Sequence, residues 1–260
     1  MNLELQGKVA LITGGSEGLG LATAIQMTKE GAQVAIAART LAKLELAAEQ
    51  VRTQAGKSPL LITADVSVPA DCERAVAEVV ARFGRLDILM NNAGSAAAAT
   101  IEQVSDAEWE ADIALKLQGL IHCSRAAAVH LKAAGGGAII NVLGTGAKTP
   151  GAGSLPSSVT RAGALALTKA MSKDLGLYGI RVNAVCIGTI RTPQFERIWQ
   201  KESPELTWDE YSREKGKAFP LGRIGDADEA ARVITFLASP AASYVTGVAV
   251  NIDGGASPVW

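Results

Sequence analysis

The chain has 260 residues, of which 48% are hydrophobic, and a formal net charge of −1. A chain of this length can bury a large core, and α/β folds of this size often form one unit. The near-neutral charge gives no reason to expect nucleic acid or an anionic membrane as a partner, and no apolar run is long enough to predict a membrane span.

The sequence indicates a cytoplasmic protein with reduced thiols. Residues 1–7 lack the basic and apolar regions of a secretory signal. Three cysteines, an odd number spread along the chain, favour free thiols over a disulfide framework. His122 and His130 lie on well-separated faces of a predicted helix, so we expect no metal site.

The first predicted elements are a strand, a glycine-rich turn and a helix. Residues 8–13 form an apolar, β-branched run typical of a buried parallel strand, and residues 19–30 have helical periodicity. Residues 13–20, between them, read Thr-Gly-Gly-Ser-Glu-Gly-Leu-Gly. Such a turn lets backbone N–H groups approach a pyrophosphate at a helix N-terminus. This order of elements predicts a dinucleotide site rather than a plain tight turn.

Further along the chain, strand-like runs alternate with helical segments. The predicted strands are residues 34–38, 60–63, 86–90, 138–142, 181–185 and 248–252. Repeated β–α units with short connections predict an α/β fold with a parallel sheet covered on both faces. We expect residues 1–260 to form one domain, with an irregular insert at about 189–223 that covers the ligand.

Several further motifs, in order and spacing, resemble the short-chain dehydrogenase/reductase superfamily over nearly the whole chain. They are residues 13–20, Asp65-Val66, Asn91-Asn92-Ala93-Gly94, residues 181–183, Thr192, residues 220–223, residues 245–247 and residues 253–255. The resemblance implies a doubly wound, seven-stranded Rossmann sheet flanked by helices and an NAD(P)(H) cofactor. It also implies a homo-oligomer, a tetramer or dimer. Helices at 102–134 and 157–178 correspond to those that pair subunits in the family, or their alanines pack against this chain's own sheet instead.

The resemblance also implies which residues bind the cofactor. They are Gly14, Ser16, Glu17, Gly18, Leu19, Gly20, Arg39, Asp65, Val66, Asn92, Ala93, Gly94, Arg161, Gly188, Ile190 and Thr192. The glycines of the turn would line the pyrophosphate, Asp65 and Val66 would contact the adenine, and Thr192 would meet the nicotinamide amide. Residues 186–188 read Cys-Ile-Gly where the family usually has Pro-Gly, so the backbone lacks proline's fixed φ beside the nicotinamide.

The end of the second strand bears on the choice of cofactor. Enzymes of the family that use NAD carry an Asp there, whereas this chain has Ala38 followed by Arg39. Arg39 would bind a 2′-phosphate through charge-assisted hydrogen bonds, or it is an ordinary solvated residue. Glu17 opposes NADP because its charge would repel that phosphate. On balance the sequence favours NADP(H) over NAD(H).

The catalytic positions depart from the family's Asn, Ser, Tyr and Lys. Residues 162–169 match the segment that follows the family's Lys, and counting back from there places the four positions at Lys116, Gly144, Ser157 and Arg161. Ser157 is far too weak an acid to replace a tyrosine near neutral pH. Arg161 keeps a positive charge for the ribose but does not give up a proton. Gly144 removes the hydroxyl that would orient a carbonyl.

Other side chains are candidates to replace the lost acid. Lys116 would serve if burial depressed its pKa, or it is a structural lysine. Tyr211 in the insert would swing over the nicotinamide, or it simply packs. Thr145, Ser154 and Ser158 are hydroxyls with no activating partner in view. Cys186 is a possible nucleophile, but a small buried thiol fits better.

Two function classes follow. The first is an NAD(P)(H)-dependent oxidoreductase acting on a small carbonyl or alcohol substrate through a non-standard site. The second is a dinucleotide-binding protein without this redox chemistry: a sensor, a scaffold or partner subunit, or an enzyme of another class. The insert contains an apolar group that either forms a pocket wall or packs internally: Phe195, Ile198, Trp199, Trp208 and Phe219. Its Arg191 and Arg197 either meet a carboxylate or are solvated.

Overall fold

The computed structural model describes residues 2–260 and contains the predicted seven-stranded parallel sheet. The strands of the chain are β1 (Val9–Thr13), β2 (Gln33–Ala38), β3 (Leu60–Thr63), β4 (Ile88–Asn91), β5 (Ala98–Ala99), β6 (Gly137–Gly144), β7 (Leu155–Pro156), β8 (Ile180–Ile187) and β9 (Ala249–Ile252). The main sheet has the order β3-β2-β1-β4-β6-β8-β9, all parallel. β5 and β7 form a separate antiparallel ribbon.

Helices connect the strands. They are α1 (Gly18–Lys29), α2 (Leu41–Ala55), α3 (Pro69–Phe83), α4 (Asp106–Ile113), α5 (Gly119–Ala133), α6 (Ser157–Gly176), α7 (Pro193–Glu202), α8 (Trp208–Gly216) and α9 (Ala227–Ala238). A π-helical turn, Ala114–Gln118, joins α4 to α5, and short 3₁₀ turns span Thr145–Ala147 and Pro240–Ala242.

The sheet buries a core on each face, and β1 shows how one strand serves both. All five of its residues are buried. Val9 and Leu11 belong to the core that includes residues of α3 and α5, whereas Ala10 and Ile12 belong to the core that includes residues of α1 and α9. Successive side chains of a strand point to opposite faces, so a strand covered on both sides reads as a continuous apolar run.

Two sequence-based expectations need correction. The helix expected from residue 102 begins at Asp106, because Ser105 and Glu108 form a capping box that fixes its N-terminus. The insert expected to be irregular contains α7 and α8. Thr192 caps α7, which has proline at its first position, and Thr207 forms a capping box with Glu210 at the start of α8.

The strand order indicates where on the sheet a ligand would bind. The chain winds outward from β1 in one direction through β2 and β3, and in the other through β4, β6, β8 and β9. In open α/β sheets, ligands bind at the carboxyl ends of the strands where the order reverses, here β1 and β4. Within residues 2–260, no helix is long and apolar enough to cross a membrane.

Candidate active site

A cleft of about 600 Å³ opens at the carboxyl ends of β1 and β4. Most of the sequence-predicted site residues line it. They are Gly14, Ser16, Glu17, Gly18, Leu19, Arg39, Asp65, Val66, Asn92, Ala93, Gly94, Lys116, Gly144, Arg161, Gly188, Ile190 and Thr192. Gly20, Ser157 and Tyr211 are not among its lining residues.

The turn between β1 and α1 needs glycine for backbone reasons. Gly14 and Gly18 have φ of 63° and 59°, in the left-handed region that favours glycine. A Cβ on Gly20 would lie 2.2 Å from the carbonyl oxygen of Gly14. Gly20 therefore permits the close approach of α1 to the turn. It supports the cleft wall without lining the cleft itself.

The ends of β1 and β4 are fastened together by side chains. The Asn92 amide donates to the carbonyl oxygens of Thr13 and Gly14 at 3.1 and 3.0 Å. The Thr13 hydroxyl oxygen accepts from the backbone N–H groups of Asn92 and Ala93 at 3.0 and 3.1 Å. These bonds hold the turn in place before any ligand binds, so Asn92 acts here on the protein backbone.

One end of the cleft contains three charged side chains. Arg39 is exposed and forms no ion pair within residues 2–260. The Glu17 carboxylate pairs with the Lys43 ammonium at 3.1 Å, and both side chains are about half exposed. Lys43, in the first turn of α2, was missed by the sequence analysis. Its pairing offsets the Glu17 charge that counted against a 2′-phosphate.

The other end of the cleft contains a buried lysine. Lys116 lies in the π-helical turn, one turn beyond Asp112 of α4, and the two side chains form an ion pair. These side chains are only 5% and 3% exposed. Asp112 also accepts a hydrogen bond of 2.7 Å from the Thr160 hydroxyl of α6. The carboxylate thus has a partner at each oxygen, which a buried charge requires.

Lys116 contacts Ser157, the first residue of α6. The Lys116 Nζ lies 2.5 Å from the Ser157 Oγ, which also accepts from the backbone N–H of Ala97 at 3.1 Å. The ribbon of β5 and β7 sets this second contact, because its register pairs Ala98 with Pro156 and so brings Ala97 beside Ser157. Asp112, Lys116 and Ser157 therefore form one chain of hydrogen-bonded side chains.

Burial and neighbouring charges shift two pKa values at this end. Burial lowers the pKa of the Lys116 ammonium and the positive charge of Arg161 adds to that effect, whereas the Asp112 carboxylate opposes it. Burial likewise lowers the pKa of the Arg161 guanidinium. A lysine with a lowered pKa exchanges its proton more readily near neutral pH than a solvated one.

Arg161 lines the cleft without an internal partner. Its guanidinium makes no hydrogen bond to any of residues 2–260. Its side chain lies against Gly144, where a Cβ would be 3.5 Å from the Arg161 Cδ. A half-buried arginine without acceptors among these residues is suited to bind a polar or anionic ligand.

The insert side chains that the sequence offered for the pocket divide into two groups. Phe195 and Arg197 of α7 line the cleft. Trp208 instead packs against Trp199 and Tyr211, with ring centroids 5.6 and 5.9 Å apart.

Tyr211 is a buried packing residue. It is only 2% exposed, and its hydroxyl lies 3.4 Å from the Glu202 carboxylate. Burial raises the pKa of its phenol. Arg191 is similarly engaged, with Glu196 at 2.9 Å and over the Trp208 ring. The structure therefore places neither Tyr211 nor Arg191 in the cleft.

The remaining nucleophile candidates are also engaged in packing. Cys186 is fully buried, and burial raises the pKa of its thiol, so little thiolate is present. The Ser154 hydroxyl donates to the Gly151 carbonyl at 2.6 Å and lies 3.1 Å from the Ser158 hydroxyl. These contacts leave Lys116 and Ser157 as the pair of reactive groups in direct contact.

Sequence reasoning missed the partners of Lys116. Asp112 stands four residues before Lys116, the spacing at which helical side chains meet. The sequence therefore contained a signal for this ion pair. Thr160 and the backbone of Ala97 come from distant segments. Their contribution depends on how α4, α6 and the ribbon pack together.

Comparison with known proteins is consistent with this geometry. A family model described as enoyl-(acyl carrier protein) reductase matches residues 14–257. The (2S)-[(R)-hydroxy(phenyl)methyl]succinyl-CoA dehydrogenase subunit of Thauera aromatica is 33% identical over 253 residues, which cover 97% of this chain and 98% of that protein.

Solved structures match over the whole fold. L-Sorbose reductase from Gluconobacter frateurii, complexed with NADPH and L-sorbose, is 31% identical with a TM-score of 0.94 and covers 100% of both chains. An NADPH-bound short-chain oxidoreductase from Pseudomonas aeruginosa, described as containing an atypical catalytic center, is 32% identical with a TM-score of 0.91, covering 97% of this chain and 98% of that one. The chain belongs to the short-chain dehydrogenase/reductase superfamily of NAD(P)-dependent oxidoreductases.

Proposed function

We propose that this protein is an NADP(H)-dependent oxidoreductase that interconverts a small carbonyl compound and its alcohol. Lys116 supplies, through Ser157, the proton that the carbonyl oxygen gains on reduction. The observation that carries the proposal is the hydrogen-bonded chain Asp112–Lys116–Ser157 beside the cleft. General acid catalysis needs a donor whose pKa is close to the working pH, and burial moves the pKa of Lys116 in that direction.

The geometry indicates a direction for the proton. The Ser157 oxygen accepts from Lys116 Nζ and from Ala97 N–H, so both of its lone pairs are used and its own proton is free to donate. In reduction, Ser157 passes that proton to the substrate oxygen as Lys116 donates one to Ser157, so the ammonium is the acid and the serine only relays the proton. Asp112 and Thr160 hold the lysine in position. In the oxidation of an alcohol, the proton travels the opposite way.

Arg161 and the glycine turn would hold the cofactor. The left-handed Gly14 and Gly18 and the helix α1 behind them suit a pyrophosphate, and none of residues 2–260 accepts a hydrogen bond from the Arg161 guanidinium. When bound, the nicotinamide supplies a hydride to the carbonyl carbon. Arg161 would orient the ribose and replaces the positive charge that the family's Lys provides.

Preference for NADP(H) rests on Arg39 and Lys43. With Glu17 neutralised by Lys43, Arg39 is free to bind a 2′-phosphate through charge-assisted hydrogen bonds. The NADPH complexes of the Gluconobacter and Pseudomonas proteins are consistent with this preference.

We further propose that the protein is a homo-oligomer, a dimer or tetramer. Val129 of α5, Val159 of α6 and Leu177 just beyond α6 are 68%, 52% and 75% exposed. Large aliphatic side chains on these two helices favour a partner of the same kind. Light scattering of the purified protein measures the state directly.

The proposed function is tested by binding and turnover together. Calorimetric titration with NADPH, NADP⁺, NADH and NAD⁺ should show the tightest binding for the phosphorylated pair. A panel of small ketones, aldehydes and alcohols should then give turnover that is lost in Ser157→Ala, while that variant still binds NADPH. Binding without turnover on any member of a broad panel would contradict the proposal and favour a redox-free role.

A further inference from the structure

The contacts of Ser157 also describe an activated nucleophile. The Ser157 oxygen lies 2.5 Å from the Lys116 Nζ, and Lys116 is paired in turn with Asp112. Nucleophile, base and a third group that orients the base are the parts that recur in enzymes that transfer acyl groups, including serine–lysine variants. Here all three are side chains of one chain, brought together by α4, the π-helical turn and α6.

We propose that Ser157 is a covalent acyl-transfer site for esters and thioesters, with Lys116 as its general base and Asp112 as the positioning residue. This activity needs no nucleotide. It goes beyond the proposed oxidoreductase, although it uses two of the same side chains, so either one can fail independently.

The proton balance of the step is as follows. In the neutral form of Lys116, the Nζ lone pair accepts the proton of the Ser157 hydroxyl across the observed contact. The Ser157 oxygen keeps its bond from Ala97 N–H on one lone pair and has another with which to attack an acyl carbon. The oxygen–carbon bond forms, the bond from the acyl carbon to the leaving group breaks, and the leaving group takes the proton from Lys116. Water then hydrolyses the Ser157 ester.

Three observations favour Ser157 over the other hydroxyls near the cleft. Lys116, which contacts the Ser157 oxygen, lines the cleft, and Ser157 itself is half-buried rather than sealed. It is the first residue of the 20-residue α6, whose N-terminal dipole favours the negative charge that develops on the acyl oxygen. Ser154 and Ser158 contact each other and not a base.

The two activities require opposite forms of one lysine. Reduction uses the ammonium of Lys116 as a proton donor, whereas acyl transfer uses the neutral amine. Because burial lowers the pKa of Lys116, its neutral amine forms at a lower pH than that of a solvated lysine. Acylation should therefore accelerate as the pH rises, over the same range in which reduction slows.

The test uses the full-length protein without nucleotide and p-nitrophenyl acetate as the probe. We expect a burst of nitrophenolate close to one equivalent per chain, a matching acetyl mass increase and peptide mapping to Ser157. A fluorophosphonate, which marks activated serines and leaves lysines unmodified, should label the same residue. Ser157→Ala should lose both adducts, and Ser154→Ala, the matched control, should keep them.

The base is tested separately. Lys116→Gln should slow the labelling of Ser157 by about a hundredfold or more, the range for loss of a general base. If this variant does not fold, Ser157→Ala and the pH dependence of labelling carry the test. Any of three outcomes would overturn the proposal. The adducts form only on lysines or on other serines, the labelling is unaffected by Ser157→Ala, or neither probe gives an adduct.

Discussion

The two ends of the cleft differ in structure: one depends on the main chain and the other on side chains. At the end proposed to bind the pyrophosphate, the structure depends on main chain: left-handed Gly14 and Gly18, and Gly20 packed against a carbonyl. At the end proposed to be catalytic, it depends on side chains from separate elements, with Lys116 and Ser157 in contact across 41 positions of sequence. A backbone site constrains residue type strictly, because only glycine fits. A side-chain site can be rebuilt, because charge and hydrogen bonding allow several arrangements.

Each end also contains a lysine–carboxylate pair, and burial separates them. The pair of Lys43 and Glu17 is about half exposed, where such a pair contributes about 0–1 kcal/mol. The pair of Lys116 and Asp112 is almost fully buried, so removing one partner leaves an uncompensated charge. The same chemistry therefore tunes binding at one end and holds the structure together at the other.

The largest expected effect is on the buried pair. Lys116→Met should lower kcat about 10²- to 10⁴-fold by removing the proton donor. It should also lower the free energy of unfolding by about 3–5 kcal/mol, because Asp112 remains buried without a counter-charge. Denaturant unfolding and steady-state kinetics measure the two effects.

The matched control is the double variant Asp112→Asn with Lys116→Met, which removes both charges. Stability should largely return, since an isosteric neutral pair leaves no buried charge, but kcat should stay low. Recovery of kcat in the double variant would show that Lys116 is structural and would sink its role as the donor.

The pH dependence of reduction sharpens the assignment. Burial lowers the pKa of Lys116 below its ordinary value, so the protonated donor is lost at a lower pH than it would be for a solvated lysine, as the pH rises through that lowered pKa. Asp112 opposes the shift, and Asp112→Asn should therefore move the fall in kcat to lower pH. The measurement is kcat against pH, at saturating cofactor and substrate, for the wild type and for Asp112→Asn. Coincident profiles would contradict this mechanism.

The sequence predicts the fold more completely than it predicts the site. The strands are short apolar runs, and the glycine turn follows β1 directly, so their pattern is local. The residues predicted to bind the cofactor mostly follow strand ends, and the parallel topology brings those ends to one edge. The helices of the insert were missed although Thr192-Pro193 and the Thr207–Glu210 spacing are ordinary helix-start signals.

The partners at the catalytic end show where sequence reasoning stops. The position of Lys116 follows from the spacing of motifs, but its bond to Ser157 depends on how α6 packs against the π-helical turn. Tyr211 was a candidate acid because it lies in the insert. Its burial against Trp208 depends on tertiary packing that no local pattern specifies.

At the adenosine end, Arg39→Ala should weaken NADPH binding about tenfold and leave NADH binding nearly unchanged. Charge-assisted hydrogen bonds contribute about 1.5–3 kcal/mol, and the lower part of that range applies because Arg39 is exposed. Calorimetric titration with both nucleotides measures the difference. Equal losses for NADPH and NADH would mean that Arg39 does not recognise the 2′-phosphate.

The smallest expected effect concerns the exposed pair at the same end. Glu17→Gln should strengthen NADPH binding only about two- to fivefold, since an exposed pair contributes about 0.2–1 kcal/mol. Lys43→Met should weaken it by a similar factor, and the double variant should return close to the wild-type Kd. Each change should shrink as salt is added, because these charges are screened. A Glu17→Gln variant that binds NADPH more weakly would show that the carboxylate is needed to hold Lys43 in place, and this end of the cleft would then resemble the buried end in depending on its pair.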